Sequence, residues 1–304
     1  MKPNKRSSRL LALALSLVLS LSLSLPALAA GEDDIIYIHT AKDLCALSDS
    51  CAYDAWSRGK TVLLTADISL RGVDFEPIAS FSGTFNGGGH TISGLTLTDS
   101  LSPAGLFLTL ERGAFVHALK VEGQVAPGGT KEAVGGIVGR NEEGGLIANC
   151  TASGSISANR YTGGIAGYNL GTLRACINSA SVNTANVDPT LSLDDLSIDP
   201  ASSLTDLVSV GAVESRNATS DTGGIAGYSS GSLLSCINRG AVGYPHFGYN
   251  VGGGAGRSDG FMDFCSNYGM IYGRKDVGGI VGQMEPYLPV SYTHLRAHET
   301  RHDL

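Results

Sequence analysis

The sequence has little positive charge, few aromatic side chains and a single tryptophan, Trp56. Lys and Arg number 21 against 28 Asp and Glu, which gives a formal net charge of −7 at pH 7. A deficit of positive charge argues against nucleic acid or anionic lipid as the partner. Glycine occurs 41 times, about twice its usual ~7% share. Glycine-rich stretches between short β-branched runs predict strands and tight turns.

The N-terminus has the pattern of a secretory signal. Four basic residues are followed by an apolar run from Leu10 to Leu25, then by Pro26 and a small-residue segment ending at Ala30. This order predicts a signal peptide over residues 1–29, cleaved after Ala29, and a protein that is secreted or on the bacterial cell surface, with no later membrane span. An uncleaved anchor is the alternative. Loss of the four basic residues would lower the formal charge from −7 to −11.

The C-terminus has a different origin. Residues 289–300 read PVSYTHLRAHET, which is one reading frame of a transposase adapter used in sequencing libraries. We therefore interpret residues 289–304 as an artefact and expect the natural protein to continue beyond Leu288, so that this chain is a fragment. His294, His298 and His302 have a spacing that zinc ligands on a helix could have, but on this interpretation they form no metal site.

A short glycine phrase is repeated through the middle of the chain. The pattern Gly-Gly-x-x-Gly begins at Gly135, Gly163, Gly223, Gly252 and Gly278, with steps of 28, 60, 29 and 26 residues. Repeats of this length predict a solenoid, in which each unit buries its apolar face against its neighbours. We interpret the step of 60 as one repeat plus an insertion over residues 184–220.

Each repeat continues in the same way after its phrase. In the first four of the five units a cysteine follows, at Cys150, Cys176, Cys236 and Cys265, and an asparagine stands two residues beyond the last three of these, at Asn178, Asn238 and Asn267. These residues predict a stacked amide ladder at a left-handed turn, and the glycines predict tight corners with positive φ. Leu173 and Cys176 have an odd offset, which predicts a bulge or corner between them. An earlier, degenerate unit over residues 104–125 has Leu119 in place of the cysteine.

Residues 30–60 contain the best helical pattern of the mature chain. Thr40 can cap a helix, with Asp43 at its third position and Leu44 and Leu47 near one face. A short helix before a β-solenoid predicts an end cap over the first turn. Cys45 and another cysteine six residues later could form a disulfide in a secreted chain, although that offset places the two thiols on different faces of the helix.

Two segments resemble known families. Residues 81–98, FSGTFNGGGHTISGLTLT, resemble the first coils of right-handed parallel β-helix proteins with a pectate-lyase-like shape. The GGI[VA]G phrases followed by C-x-N-x-G-x-[VI] resemble the GLUG repeat of secreted bacterial proteins. The resemblance implies an all-β, right-handed parallel β-helix over residues 61–288. GLUG proteins include surface adhesins and some immunoglobulin A peptidases, in which the repeats lie outside the catalytic part.

Candidate sites for chemistry are weak. Acidic residues of the insertion could bind calcium, but their spacing matches no known loop, and an exposed acidic loop is the simpler interpretation. The repeat cysteines are better explained by packing than by metal ligation, because Leu119 occupies the equivalent position. A glycan-cleaving enzyme needs two nearby carboxylates; Asp221 and Asp276 share one repeat position, but Asn250 stands there between them. We predict no catalytic residue, metal or cofactor.

One set of residues suggests a binding surface. Five residues after the first glycine of each phrase stand Arg140, Tyr168, Tyr228, Arg257 and Gln283. If these side chains point outward, their rings, guanidinium groups and amide could bind a surface glycan or a host protein. The alternative is that they only shield one face of the solenoid.

We therefore predict a non-catalytic adhesion or interaction module. Two other functions stay open at this point: a polysaccharide-active β-helix enzyme, and a passive spacer that displays a missing C-terminal domain.

Overall fold

A computed structural model describes residues 35–53, 55–185 and 219–285. The predicted signal peptide, most of the predicted insertion and the predicted adapter-derived tail lie outside these residues. Within the described ranges, no helix is both long and apolar enough to cross a membrane.

One helix and 28 short strands make up the described chain, and the helix α1 (Ala41–Ser50) lies between the first two strands. The first strands are β1 (Ile35–Ile38), β2 (Thr61–Leu64), β3 (Ile68–Ser69), β4 (Ile78–Phe81), β5 (Thr84–Asn86), β6 (Thr91–Leu97), β7 (Phe107–Leu110), β8 (Phe115–His117), β9 (Lys120–Val125), β10 (Glu132–Gly135), β11 (Val138–Asn141), β12 (Leu146–Ala148), β13 (Thr151–Ile156) and β14 (Arg160–Gly163). The later strands are β15 (Ala166–Asn169), β16 (Thr172–Arg174), β17 (Ile177–Asn178), β18 (Ser181–Val182), β19 (Ser220–Gly223), β20 (Ala226–Ser229), β21 (Ser232–Leu234), β22 (Ile237–Asn238), β23 (Tyr249–Gly252), β24 (Ala255–Ser258), β25 (Phe261–Asp263), β26 (Ser266–Asn267), β27 (Lys275–Gly278) and β28 (Val281–Met284).

The strands form four parallel sheets that run along a β-solenoid, as predicted. We name them sheets 1 to 4 in the order in which one repeat visits them. The sheet orders are β10-β14-β19-β23-β27 for sheet 1, β4-β7-β11-β15-β20-β24-β28 for sheet 2, β1-β2-β5-β8-β12-β16-β21-β25 for sheet 3 and β3-β6-β9-β13-β17-β22-β26 for sheet 4.

The turns that precede and follow the insertion are adjacent in sheet 1. Strand β14 pairs directly with β19, and Gly163 lies opposite Gly223. Residues 60 positions apart in the sequence thus lie in neighbouring turns, which is the spacing that one repeat plus an insertion would give.

Helix α1 caps the N-terminal end. The Thr40 side chain accepts from the Asp43 backbone N–H, and the Asp43 carboxylate accepts from the Thr40 N–H, so the predicted capping box is present. Hydrogen bonds from the His39 backbone and then from Thr40 lower the pKa of Asp43. Leu44 and Leu47 are buried in the core. The helix packs against β1 and β4, so it covers the first strand of sheet 2.

The interior is a stack of aliphatic residues. Ile137, Ile165 and Ile225 are fully buried, whereas Ile280 in the last described turn is 37% exposed. Gly254 replaces isoleucine in this stack, and the Met262 methyl group lies 2.9 Å from the position that a Gly254 Cβ would have. The longer Met262 side chain therefore occupies the space that a missing isoleucine leaves.

The glycine phrases serve close backbone approach, and the prediction of positive φ at these glycines is wrong. A Cβ on Gly163 would lie 2.1 Å from the Ala166 carbonyl oxygen, and one on Gly227, the last glycine of its phrase, would lie 2.2 Å from the Tyr161 carbonyl carbon. Real Cβ atoms do not approach backbone atoms this closely. Glycine is therefore required because at this corner the backbone closely approaches both its own following residues and the preceding turn.

The left-handed corners are formed by other residues. Within sheet 1 the residue two before each phrase has positive φ, for example Tyr161 at 52° and Asp221 at 53°. A second left-handed corner lies between sheets 3 and 4, where Ala175 has a φ of 51° and Ser235 a φ of 55°. Ala175 lies between Leu173 and Cys176, so the predicted corner is confirmed. These corners let both residues face the interior.

The amide ladder is confirmed, but its predicted left-handed conformation is wrong. Asn178 donates from Nδ2 to Asn238 Oδ1 at 2.8 Å, and Asn238 donates to Asn267 Oδ1 at 2.7 Å. Asn178 and Asn238 are fully buried, and neither has positive φ. Each stacked amide satisfies a neighbour, which is how buried polar groups avoid a desolvation penalty.

All six cysteines are free. Cys45 and Cys51 therefore form no disulfide. Cys150, Cys176 and Cys236 are fully buried in the core, which supports packing as their role. Burial raises the pKa of the Cys150 thiol to about 12, so this thiol stays neutral near pH 7.

Candidate functional site

The predicted surface residues form one continuous row. Sheet 2 places Arg140 opposite Tyr168, Tyr168 opposite Tyr228, Tyr228 opposite Arg257, and Arg257 opposite Gln283. All five are half-buried on the outer side of the sheet. We call this row the Tyr/Arg ladder.

The centre of the ladder is a closed stack. The rings of Tyr168 and Tyr228 lie 4.7 Å apart at 33°. The Arg140 guanidinium lies 4.7 Å from the centroid of the Tyr168 ring, and that of Arg257 lies 5.0 Å from the Tyr228 centroid. Because the strands follow in this order, each ring has a neighbour on both faces. The ring faces are therefore used within the protein, and the ring edges and the Tyr168 hydroxyl remain to meet a ligand. Gln283 lies beyond Arg257, outside the stack.

A third tyrosine, Tyr161, joins the ladder from sheet 1. Its centroid lies 5.2 Å from that of Tyr168 and 5.8 Å from that of Tyr228. Arg160 lies over the Tyr161 ring at 4.4 Å, and Arg257 donates from Nη2 to the Tyr161 hydroxyl at 3.3 Å. The left-handed backbone at Tyr161 turns this side chain towards the ladder, so sheets 1 and 2 share one surface.

A buried carboxylate holds this surface together. The Asp221 side chain is 3% exposed, with Arg160 Nε at 3.5 Å and Arg257 Nε at 3.2 Å. Asn250 donates from Nδ2 to Asp221 Oδ1 at 2.8 Å. These partners come from the turns on both sides of Asp221, so one anion links three turns. A buried carboxylate with such partners is compensated for its loss of hydration.

The ladder is electrostatically balanced. Arg140 pairs with Glu142, Arg257 pairs with Glu285 at 3.4 Å, and the Tyr228 hydroxyl donates to Asp259 at 2.9 Å. Burial and then the Asp259 hydrogen bond raise the pKa of Tyr228. Burial lowers and the Asp221 charge raises the pKa of Arg257, and the net direction is upward.

These groups present hydrogen-bond donors to a ligand. Burial raises the pKa of Tyr168 above its usual value, so the Tyr168 and Tyr228 hydroxyls are protonated near neutral pH. The Tyr168 hydroxyl makes no hydrogen bond within the described part of the chain. The site can therefore donate to neutral polar groups, whereas its paired charges offer little net attraction to an ion.

Glu143 and Asp276 lie apart from this site. Glu143 forms an exposed ion pair with Arg112 at 2.9 Å, and Asp276 is exposed. Residues 35–53, 55–185 and 219–285 contain no cluster of three or more His, Cys, Asp or Glu side chains arranged to hold a metal ion.

Sequence reasoning found the ladder but missed Tyr161, and it treated Asp221 only as a possible catalytic acid. The signal was available, because both stand two residues before a glycine phrase. Residues at a fixed offset from the phrase stack on one another in a solenoid. On a regular extended strand, however, the residue two before the phrase would not point towards the ladder. Only the left-handed corner brings it beside the ladder.

Part of the chain matches a known motif. Residues 132–157 match the family described as the GLUG motif, which comprises β10 to β13 and thus one complete turn. The predicted resemblance is confirmed: the chain is a β-solenoid that contains a GLUG motif.

Two proteins are similar over larger parts of the chain. Halomucin of Haloquadratum walsbyi is 34% identical over 145 residues, which cover 43% of this chain and only 2% of halomucin. The crystal structure of a candidate immunoglobulin A1 protease from Bacteroides ovatus superposes with a TM-score of 0.56 at 18% identity, over 83% of this chain and 72% of the other. At that identity the similarity concerns the fold alone.

Proposed function

We propose that this chain is a non-catalytic interaction module that acts outside the cell, and that the Tyr/Arg ladder is its binding surface. The signal-peptide pattern of residues 1–29 supports an extracellular location. The similarity to halomucin, whose name denotes a mucin-like protein, supports it as well. Fold similarity by itself does not assign an activity.

The observation that carries the proposal is the shape and chemistry of the ladder. Four sheet 2 strands place Arg140, Tyr168, Tyr228 and Arg257 in one row, and Tyr161 widens it. The stack fixes these side chains before a ligand arrives, which lowers the entropy cost of binding. A fixed row of donors suits a repeating polar chain, and we propose a neutral surface glycan as the ligand.

The stack also changes the expected mode of recognition. We do not expect a sugar ring to stack on Tyr168 or Tyr228, because both faces of each ring are covered by neighbouring side chains. Recognition instead depends on the outward hydroxyl of Tyr168 and on the guanidinium edges.

Substitution of Tyr168 separates binding from shielding. Tyr168→Phe keeps the ring stack but removes the hydroxyl, whereas Tyr168→Ala removes both. The wild type and both variants would be tested on an array of extracellular glycans, with Thr109→Ala, at the equivalent position two turns before Tyr168, as the matched control. We expect Tyr168→Phe to retain its melting temperature and lose at least fivefold in glycan affinity.

Two results would contradict the proposal. Glycan binding that is unchanged in Tyr168→Phe and Tyr168→Ala would place the site elsewhere. A wild type that binds no glycan, together with a large loss of stability in Tyr168→Ala alone, would identify the ladder as a shield and the chain as a spacer.

A further inference from the structure

A polar cavity lies at the corner between sheets 2 and 3, in the first turns of the solenoid. It has a volume of about 290 Å³, and its polar lining consists of Arg58, Ser80, Ser82, Glu111 and Arg112. This volume is near the lower end of the range for small-molecule sites in proteins. The cavity is therefore large enough for one ligand of about monosaccharide size.

The backbone around the cavity is fixed by its own hydrogen bonds. The Arg58 N–H donates to the Ala55 carbonyl at 3.1 Å. The Glu111 N–H donates to the Phe81 carbonyl at 2.8 Å, so Glu111 lies one turn after Ser82. The lining side chains thus converge from neighbouring turns that are ordered without a ligand.

The Arg58 guanidinium is available to an anion. It has no hydrogen bond or ion pair with any residue that the structure describes, whereas Arg140 and Arg257 of the Tyr/Arg ladder are both paired with carboxylates. Arg112 pairs with Glu143 in an exposed ion pair, and such pairs contribute little. Because an arginine fork can bind a carboxylate through two parallel hydrogen bonds, Arg58 is the group that a carboxylate ligand would meet first.

Glu111 adds an acceptor beside these cations. Its Oε1 accepts from the Ser80 hydroxyl at 3.2 Å, and Oε2 has no hydrogen bond within the described ranges. A free carboxylate oxygen can accept from a ligand hydroxyl, and its charge repels a compact anion such as sulfate. The lining therefore suits a ligand with a carboxylate on one side and hydroxyl groups on the other.

We propose that this cavity binds a hydroxy acid of monosaccharide size, either free or at the end of a glycan. The ligand carboxylate would pair with Arg58, with Arg112 as a second cation, and its hydroxyls would donate to Glu111. Ser80 and Tyr168 lie three strands apart in sheet 2, which is about 14 Å at about 4.8 Å per strand. The cavity is thus separate from the Tyr168 hydroxyl, and the inference does not depend on glycan binding by the ladder.

Titration calorimetry on the full chain tests the ligand class with four probes. D-glucuronate has both a carboxylate and hydroxyls, D-glucose has hydroxyls alone, and sulfate has charge alone. We expect saturable binding of glucuronate, with glucose and sulfate bound about tenfold more weakly or less. The methyl glycoside of glucuronate distinguishes the two sources: equal affinity supports a glycan end, and weaker affinity supports the free acid.

Three variants test the assigned residues. Arg58→Gln should lower the affinity for glucuronate about tenfold and leave the melting temperature unchanged, because this exposed side chain has no partner to lose. Arg174→Gln is the matched control, since Arg174 is also exposed but lies on sheet 3, and it should bind like the wild type. Glu111→Gln should bind sulfate more tightly than the wild type, because it removes the negative charge beside the arginines.

Three results would overturn the proposal. One is a wild type that does not bind glucuronate, and another is a wild type that binds sulfate as tightly as glucuronate. The third is an equal change in Arg58→Gln and Arg174→Gln, which would show a general effect of surface charge and no defined site.

Discussion

The two halves of the solenoid follow one backbone path with different interiors. One inward position of sheet 2 reads Phe81, Leu110, Asn141, Asn169 and Ser229 in successive turns. The early turns fill it with apolar side chains. From Asn141 onward it is a hydrogen-bonded row, in which Asn141 donates to Asn169 at 2.8 Å and Asn169 to Ser229 at 3.0 Å.

One buried polar atom is left without a hydrogen-bond partner at the junction between the two halves. Asn141 Oδ1 is buried without a hydrogen-bond partner in the described structure, because Leu110 stands where the preceding amide would be. The comparison shows that the parallel register is compatible with either interior. Stacked identical residues are one solution, and large apolar packing is another.

The largest effect is expected in the early half. Phe107 lies 5.4 Å from Phe81 and 5.5 Å from Phe85 between ring centroids, and all three are fully buried. Phe107→Ala should lower the free energy of unfolding by about 4 kcal/mol, because it leaves a cavity. Urea denaturation measures this loss, and the exposed Phe261→Ala serves as the control. A loss below about 1 kcal/mol would contradict an aromatic core.

A slightly smaller effect is expected from the last glycine of a phrase. Gly227→Ala would force its Cβ against the Tyr161 backbone and should cost about 3 kcal/mol of unfolding free energy. Leu108 stands at the equivalent position in the early half, where a side chain fits, and Leu108→Ala should cost about 1 kcal/mol. Equal losses in the two variants would show that the phrase does not set the contact between turns.

The amide ladder should contribute less. Asn238→Leu leaves the Asn178 amide without its acceptor in the interior and should cost about 2 kcal/mol. A double-mutant cycle with Asn178→Leu tests the ladder directly, since residues in one hydrogen-bond network are coupled. Additive losses would mean that the two amides do not act together.

The last effect appears only at alkaline pH and is absent near neutral pH. Burial raises the pKa of Cys150 from 9.0 to about 12, so the folded state retains a proton that the unfolded state loses. Between pH 9 and pH 12 the stability should fall by about 1.4 kcal/mol per pH unit for this thiol. Cys150→Ala should show a shallower decline in denaturation midpoints. The same pH slope in both proteins would exclude this thiol as the cause.

The repeated half could be predicted well from the sequence. The fixed spacing of glycine, cysteine and asparagine defines the register, and parallel stacking then places equivalent residues in rows. Leu119 was also recognised as the counterpart of the cysteines, because the offsets continue without the glycines.

Backbone conformation was harder to predict. The phrase glycines suggested positive φ, yet the left-handed positions are occupied by Tyr161, Asp221 and Ala175. A glycine-rich composition does not show which residue near a corner adopts the left-handed backbone conformation. The closed stack of Tyr168 and Tyr228 was also missed, because spacing places rings in a row without showing that they cover one another.

The most direct test of the account is a cross-link across the insertion. Thr172 lies opposite Ser232, and adjacent strands are about 4.8 Å apart. Thr172→Cys with Ser232→Cys should be joined rapidly by a short thiol cross-linker and detected by mass spectrometry. Thr172→Cys with Phe261→Cys, which spans two turns, is the control. The account predicts a link in the first pair alone, whereas no link there, or equal links in both pairs, would contradict the in-register solenoid.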